Sequence, residues 1–229
     1  MLTGFKYLNA FRKKRWEYSA CTKLSSCCIL NMASILHQKT SSEDVETQCK
    51  KLCVVLGSPI GRIEISGCET GVHGIHLQGD AVLQNGTMKS SVSCEVHEAP
   101  EEMAEPLKQC TAWLRAYFCE PWMTEKLPVP PFHHPLLEQA SFTTEVLWTL
   151  LREVKFGEVV SYKQLADLAG NSKAARAVGG AMRSNPIPII IPCHRVICSS
   201  GQTGNYTGGS HLKEWLLSHE KLLKEKLAY

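Results

Sequence analysis

From Leu52 onward apolar and polar positions alternate: Cys53-Val54-Val55-Leu56, a Gly57-Ser58-Pro59 turn, then Arg62-Ile63-Glu64-Ile65 before Gly67. A period of two bounded by turn residues predicts a half-buried hairpin. Val72 to Leu77 predicts a third strand after the Glu69-Thr70-Gly71 turn, with Val72, Gly74 and His76 on one face and His73, Ile75 and Leu77 on the other. Residues 79–100 carry no period and read as a polar loop. Over 104–119 the period becomes helical, with Leu107, Cys110, Leu114, Tyr117 and Phe118 on one face, and it stops before Pro121.

Five prolines follow, Pro121, Pro128, Pro130, Pro131 and Pro135, and they predict a linker because proline can continue neither a helix nor a central strand. A second helical stripe comprises Val146, Leu147, Leu150, Leu151 and Val154, ends at Gly157, and places the start of a second domain near Ser141. Ser161 and Gln164 have the spacing of a capping box, and Gly170 supplies a stop, so a helix over 162–169 follows. After a short turn, Lys173 to Arg183 reads as another helix, giving the pair helix-turn-helix spacing. The apolar run Ile187 to Ile191 reads as a short buried strand. The expected architecture is α+β: a small antiparallel sheet with helices over 46–136, then a mostly helical, winged helix-turn-helix-like domain over 137–229. Residues 1–45 show no period and are expected to be a disordered basic extension, within which Met32 is a second candidate initiator.

Composition narrows the function classes. The chain has 229 residues and is 44% hydrophobic and 21% charged, which suits a packed globular protein and excludes a disulfide-stapled miniprotein. Its longest apolar stretch, broken by Pro188, falls far short of the roughly 20 residues that span a bilayer, so no membrane partner is expected. The net charge of +3 is uneven: residues 1–40 carry seven Lys or Arg against Glu17 alone, 41–140 are net acidic, and 141–229 carry 11 bases against 7 acids. Of the two predicted domains, only the C-terminal one favours a polyanion, and mildly. Eleven cysteines without framework spacing point to thiols that bind metal or react in a reducing compartment.

The second helix of the pair, Ala174-Ala175-Arg176-Ala177-Val178-Gly179-Gly180-Ala181, lacks the Asn, Gln, Arg and Lys cluster with which a major-groove helix reads base edges. Arg176 is its one long cation before Arg183. Two interior glycines cost about 1 kcal/mol each relative to alanine. Either a thin helix is needed for close approach to a partner, or the glycines permit tight packing inside the protein. Beyond it, Pro192-Cys193-His194-Arg195 sets a thiol beside an imidazole, although Cys193 by itself reads first as a packed core thiol.

The string Ile191-Pro192-Cys193-His194-Arg195-Val196 resembles the signature of the O6-alkylguanine-DNA alkyltransferases. Gly157-Glu158-Val159-Val160-Ser161-Tyr162, the Ala174–Met182 helix, Asn205-Tyr206-Thr207-Gly208-Gly209 and Lys213-Glu214-Trp215-Leu216-Leu217 match that family in order and spacing. The resemblance covers about residues 46–222 and is of the vertebrate type. It implies DNA repair by direct damage reversal. O6-alkylguanine, and O4-alkylthymine, would be flipped out of duplex DNA through the minor groove, and the alkyl group transferred irreversibly to Cys193 in a single turnover. His194 would act as the base through a water, Glu220 would orient it, Tyr162 would supply a proton to the leaving purine, and Asn185 would link the helix pair to the active loop. Arg176 would replace the extruded base in the stack, with Tyr162, Thr143, Asn171, Ser199, Ala175, Ala177 and Gly179 against the DNA. Met182, Val196, Tyr206 and Thr207 would wall the pocket; Thr207 stands where serine is common and keeps the hydroxyl.

The same resemblance implies a structural zinc ion on Cys49, Cys68, His73 and His133, no organic cofactor, a monomer in the absence of DNA, and residence in the nucleus. Two Cys and two His suit a closed tetrahedral site, although Cys53, His76 and His134 compete for those positions on spacing alone. Three other functions remain to be separated. A non-reactive alkyl-DNA-binding protein would lack Cys193, a transcription factor would carry base readers over 174–183, and a cysteine hydrolase would turn over.

Overall fold

The computed structural model describes residues 49–78, 94–124 and 126–227, so the expected basic extension, with Arg12–Arg15 and Met32, lies outside the described residues. The predicted hairpin is present as β1 (Leu52–Ser58) and β2 (Gly61–Gly67), joined by a tight turn and paired antiparallel from Leu52↔Gly67 to Ser58↔Gly61. Alternation does what period two requires: Val54, Leu56, Ile63 and Ile65 are fully buried, while Cys53 and Arg62 face out. β3 (Val72–Gln78) adds to β2, but the register shifts at Ser66/Gly67. That irregularity corrects the expected faces of β3, because Val72 and Ile75, three residues apart, are both buried.

Part of the expected loop is a strand as well. β4 (Val96–Glu98) pairs antiparallel with β1, completing a sheet of order β3-β2-β1-β4. Its three residues are all exposed, so the apolar pattern that marks a strand is missing. Helix α1 (Glu105–Cys119) begins with proline in its first turn and packs against β1, β2 and β3 through a face that includes Leu107, Cys110 and Leu114.

The proline-rich segment is more ordered than a linker. Pro121 and Pro135 open the short helices α2 (Pro121–Thr124) and α3 (Pro135–Glu138), where a missing N–H costs nothing. Between them the chain straps onto the sheet: Val72 N–H donates to the Pro131 carbonyl at 2.8 Å, and His133 N–H donates to the Val72 carbonyl at 2.9 Å. Gly71 makes this possible, since a Cβ there would lie 2.7–2.9 Å from the backbone of Pro131, Phe132 and His133.

Helix α4 (Phe142–Glu153) is capped by Ser141 and buries Val146, Leu147 and Leu150 completely. Truncating any one to alanine would cost about 2–5 kcal/mol. The capping box at Ser161 and Gln164 forms in both directions, 3.1 and 2.9 Å, and starts α5 (Tyr162–Leu168). Gly170 ends that turn at φ +80, where any side chain would be strained. α6 (Ala175–Arg183) follows and packs on both α4 and α5. β5 (Val160–Ser161) and β6 (Val196–Ile197) pair in parallel, and α7 (Ser210–Leu227) closes the chain. Apolar residues of the sheet, α1, α4, α6 and α7 belong to one core cluster. No described helix is long and apolar enough to cross a membrane.

Candidate functional site

The Ile187–Ile191 run is not a strand. It forms consecutive turns with an isolated bridge between Pro188 and Ile191, and Ile191 N–H donates to the Ile187 carbonyl at 2.9 Å. Ile189, fully buried, sits at φ +74, a conformation that β-branched residues rarely adopt and that costs on the order of 1–3 kcal/mol. Asn185 holds the turn from inside. Its Oδ1 accepts from Ile187 N–H at 3.0 Å and its Nδ2 donates to the Ile191 carbonyl at 2.9 Å. The same Nδ2 donates to the Cys193 thiol at 3.1 Å.

Cys193 opens a 3₁₀ turn, Cys193–Arg195, and all three side chains are buried. Burial raises the Cys193 pKa, and the Asn185 donor and the Lys213 ammonium offset this only in part, so the thiol is protonated at neutral pH. Tyr206 has its hydroxyl buried beside the Cys193 thiol, near enough for each to perturb the other. Tyr162, half-buried at the start of α5, keeps its phenol proton because burial and the nearby Cys198 and Cys193 thiols raise its pKa.

His194 and Glu220 meet beside α1: His194 Nε2 lies 2.6 Å from Glu220 Oε1, and the Tyr117 hydroxyl of α1 donates to that same oxygen at 2.8 Å. Arg195 forks onto the carboxylate at 2.9–3.2 Å and donates to the Val154 carbonyl, while Gly157 N–H donates to Oε2. Burial works against the Glu220 charge, but His194 and Arg195 outweigh it and hold the carboxyl far below its usual range. Burial lowers the His194 pKa against the pull of Glu220, which leaves a neutral ring. A carboxylate only accepts, so Nε2 carries the proton and the buried, unpartnered Nδ1 keeps its lone pair.

Three of these groups, Tyr117, Arg195 and Lys213, had no role assigned from the sequence. Lys213 is almost fully buried and donates to the Val196 carbonyl at 2.6 Å. A phenol within the apolar stripe of α1 was the available signal for Tyr117, because a buried tyrosine hydroxyl needs a partner.

Helix α6 presents a separate surface. Val178, Ala181 and Met182 face the core, while Arg176, Ala177, Gly180 and Arg183 are exposed. A Cβ at Gly179 or Gly180 would meet nothing within 4 Å, so internal packing does not require either glycine. That decides between the two readings of this helix in favour of a smooth outward face. Ala175 is half-buried on the same helix, and Asn171 and Ser199 are exposed in flanking turns. Thr143, in the first turn of α4, is half-buried. Of the expected pocket residues, Met182 and Val196 are buried, Tyr206 is half-buried and Thr207 is exposed.

A second cluster lies at the sheet. One ligand atom from each of Cys49, Cys68, His73 and His133 falls within 4.8 Å of the others. The strap on Gly71 delivers His133, which explains why a residue so distant in sequence joins the turn residues. With Zn–S near 2.3 Å and Zn–N near 2.05 Å, a tetrahedron spaces S and N about 3.6 Å apart and two N about 3.3 Å apart. The observed separations are 3.2–3.9 Å for sulfur to nitrogen and 3.3 Å between His73 Nε2 and His133 Nδ1. Burial raises the Cys68 pKa, but hydrogen bonds from Gly71, Thr70, His73 and His133 bring it down to about 6, as a thiolate ligand requires. The competitors drop out: His134 caps α3, and Cys53 and His76 are exposed on the strands.

Both parts of the chain match known proteins. Residues 52–131 match the family model for the 6-O-methylguanine DNA methyltransferase, ribonuclease-like domain, and residues 141–222 that for the 6-O-methylguanine DNA methyltransferase, DNA binding domain. The chain is 60% identical over 173 residues to the methylated-DNA–protein-cysteine methyltransferase of Rattus norvegicus, covering 75% of this chain and 83% of the relative. It is 56% identical over 176 residues to that of Homo sapiens, covering 77% and 83%. Among solved structures, the O6-methylguanine methyltransferase of Mycobacterium tuberculosis is similar with a TM-score of 0.56 and 30% identity, covering 75% of this chain and 93% of that one. A structure of the same bacterium's OGT in complex with DNA is similar at 0.54 and 31%, covering 73% and 91%. With a buried thiol held by Asn185, a His194–Glu220 pair and a smooth exposed helix all present in a chain of this similarity, the protein belongs to the methylated-DNA–protein-cysteine methyltransferase family.

Proposed function

We propose that this protein repairs DNA by moving the alkyl group of O6-alkylguanine, and of O4-alkylthymine, onto Cys193. The observation that carries this reading is the Cys193 thiol itself. It is buried, protonated and hydrogen-bonded by Asn185, on a turn whose next residue belongs to the His194–Glu220 pair. A thiol with a raised pKa needs a base at the moment of attack. His194 Nδ1, neutral and unpartnered, is that base through a bridging water, and Glu220 stabilises the imidazolium that results. The S–C bond forms as the C–O bond breaks, the guanine leaves through O6, and Tyr162 supplies the purine with a proton that the His194 imidazolium returns through the water, so the thiol proton ends on guanine. The product thioether is stable to water, so each molecule acts once.

The alkylated base must leave the stack to reach a buried thiol, at a cost of a few kcal/mol. The smooth face of α6 supports minor-groove docking, with Arg176 entering the stack and Ala175, Ala177 and Gly179 close to the backbone. Tyr162, Thr143, Asn171 and Ser199 would flank the DNA. Met182, Val196, Tyr206 and Thr207 would wall the base pocket, with the buried Tyr206 hydroxyl beside the thiol. Cys49, Cys68, His73 and His133 would hold a zinc ion that braces the sheet and takes no part in alkyl transfer. A monomer suffices for this chemistry, and work on chromosomal DNA calls for residence in the nucleus.

The test is intact-protein and peptide mass spectrometry after incubation with an O6-methylguanine duplex, beside Cys193→Ala. One methyl at Cys193, absent from the variant, is expected. Binding without an adduct would replace this reading by non-reactive damage binding, and repeated turnover would make the protein a hydrolase.

A further inference from the structure

The base that serves Cys193 is held from the opposite side of the core. Tyr117, on α1, is fully buried, and its hydroxyl stands between two members of the pair: it donates to Glu220 Oε1 at 2.8 Å and lies 3.5 Å from His194 Nε2. Because the carboxylate can only accept, the phenol proton points to Glu220, whose Oε1 also takes the Nε2 proton of His194 at 2.6 Å. Its ring cannot swing away. It stacks on Trp113 at 13° and meets Phe118 and Phe156 edge-on, and its backbone carbonyl lies 3.1 Å from His219 Nε2.

We propose that Tyr117 is a positioning residue for alkyl transfer, holding Glu220 Oε1 against His194 Nε2 and setting the basicity of His194 by sharing that oxygen. The inference rests on the reading of His194 as the base for Cys193. It gives the first half of the chain a part in the reaction beyond packing, since the hydroxyl comes from a helix that packs on α2 and the sheet and meets α7 through its aromatic rings.

The charged and titratable groups around the pair are few. Arg195 pairs with Glu220, and Lys213 and His219 approach from α7; Tyr206 approaches from the preceding loop. Arg195 and Lys213 both disfavour protonation of His194, while Glu220 favours it, so the balance at His194 depends on how fully the carboxylate charge is neutralised. The Tyr117 hydroxyl neutralises part of it. Removing that hydroxyl frees Glu220 to stabilise imidazolium and raises the His194 pKa. Deep burial also holds Tyr117 itself far above the ordinary phenol range, helped by Glu220, so it stays a donor at every usable pH.

The experiment is Tyr117→Phe, which keeps the ring and its stacking. Single-turnover transfer from an O6-methylguanine duplex is measured between pH 5.5 and 8.5, and His194 is titrated in parallel by NMR of histidine-labelled protein without DNA. An upward shift of about half a unit or more in the His194 pKa is expected, with a rate loss of about threefold at pH 6 that closes by pH 8. Affinity for the duplex should stay unchanged. A loss of equal size at every pH, or an unmoved His194 titration, would overturn the proposal and leave Tyr117 a packing residue. If wild type transfers no alkyl group, the function reading falls, while the His194 titration still judges the role of Tyr117. Should the Phe variant fail to fold, 2,3,5-trifluorotyrosine placed at Tyr117 by suppression strengthens the donor; it should move the His194 pKa downward, and an unmoved titration there would equally overturn the proposal.

Discussion

Asn185 and Cys193 are joined by a 3.1 Å hydrogen bond from the amide Nδ2 to the thiol, and the same side chain closes the turn that carries the thiol. One residue thus shapes the backbone and tunes the nucleophile. The strained Ile189 between them persists because both ends of the turn are tied to this amide.

Asn185→Ala is therefore expected to act twice. Losing the side chain leaves the buried Ile187 N–H and Ile191 carbonyl without that partner, a destabilisation of about 2–3 kcal/mol. It also removes a donor that lowers the Cys193 pKa, so alkyl transfer should slow more than tenfold at neutral pH. Urea unfolding and single-turnover rates measured on the same preparation separate the two; full activity in the folded fraction would refute the second effect.

The buried pair also predicts acid lability. Glu220 is held below its ordinary value of 4.5, so its contribution is present above that pH and lost as pH falls toward the folded pKa. The His194 pKa is lowered from 6.5, so protonation favours the unfolded chain and stability begins to fall as pH drops through about 6.5. Both slopes have the same sign. Unfolding free energy measured from pH 8 to 4 should decline throughout, and Glu220→Gln should flatten the curve below pH 5. That variant should also lose about 3–5 kcal/mol at pH 7, because Arg195 is left buried without its counter-charge.

Local chemistry was legible in the sequence, and long-range partnership was not. Ser161 and Gln164 lie three residues apart, so their capping box could be read directly. Ile187–Ile191 has the apolar character of a buried strand, yet it turns because the Asn185 side chain supplies hydrogen bonds that a neighbouring strand would otherwise give. β4 is hidden for the opposite reason, since it is exposed throughout and pairs by backbone alone. Tyr117 and Glu220 are 103 residues apart, and no local pattern connects them. Spacing alone does not rank His133 against His134; the strap on Gly71 turns one toward the cysteines and uses the other to cap a helix.

If Cys49, Cys68, His73 and His133 hold zinc, elemental analysis of protein purified without chelator should give one zinc per chain, and Cys68→Ser should abolish it. The ion would clamp the chain before β1, the β2–β3 turn and the strap together, so its removal should lower the melting temperature by several degrees. Alkyl transfer at 25 °C should survive chelation, because Cys193, Asn185 and the His194–Glu220 pair supply no ligand to this cluster. Unchanged melting after verified metal removal would rule out a bracing role.

The outward face of α6 gives a test in which stability and binding move in opposite directions. Gly180 is exposed within the helix, and a Cβ there would touch nothing within 4 Å. Gly180→Ala should then stabilise the protein by about 0.5–1 kcal/mol, through higher helix propensity and a less flexible unfolded chain. A methyl added beside Arg176 and Ala177 would, however, stand off a DNA backbone that approaches this surface closely. Affinity for duplex DNA, followed by fluorescence anisotropy at fixed salt, should fall several-fold while the melting temperature rises. A rise in stability with unchanged affinity would show that DNA does not approach α6 closely at this position, and the docking face would have to be sought elsewhere on the C-terminal half.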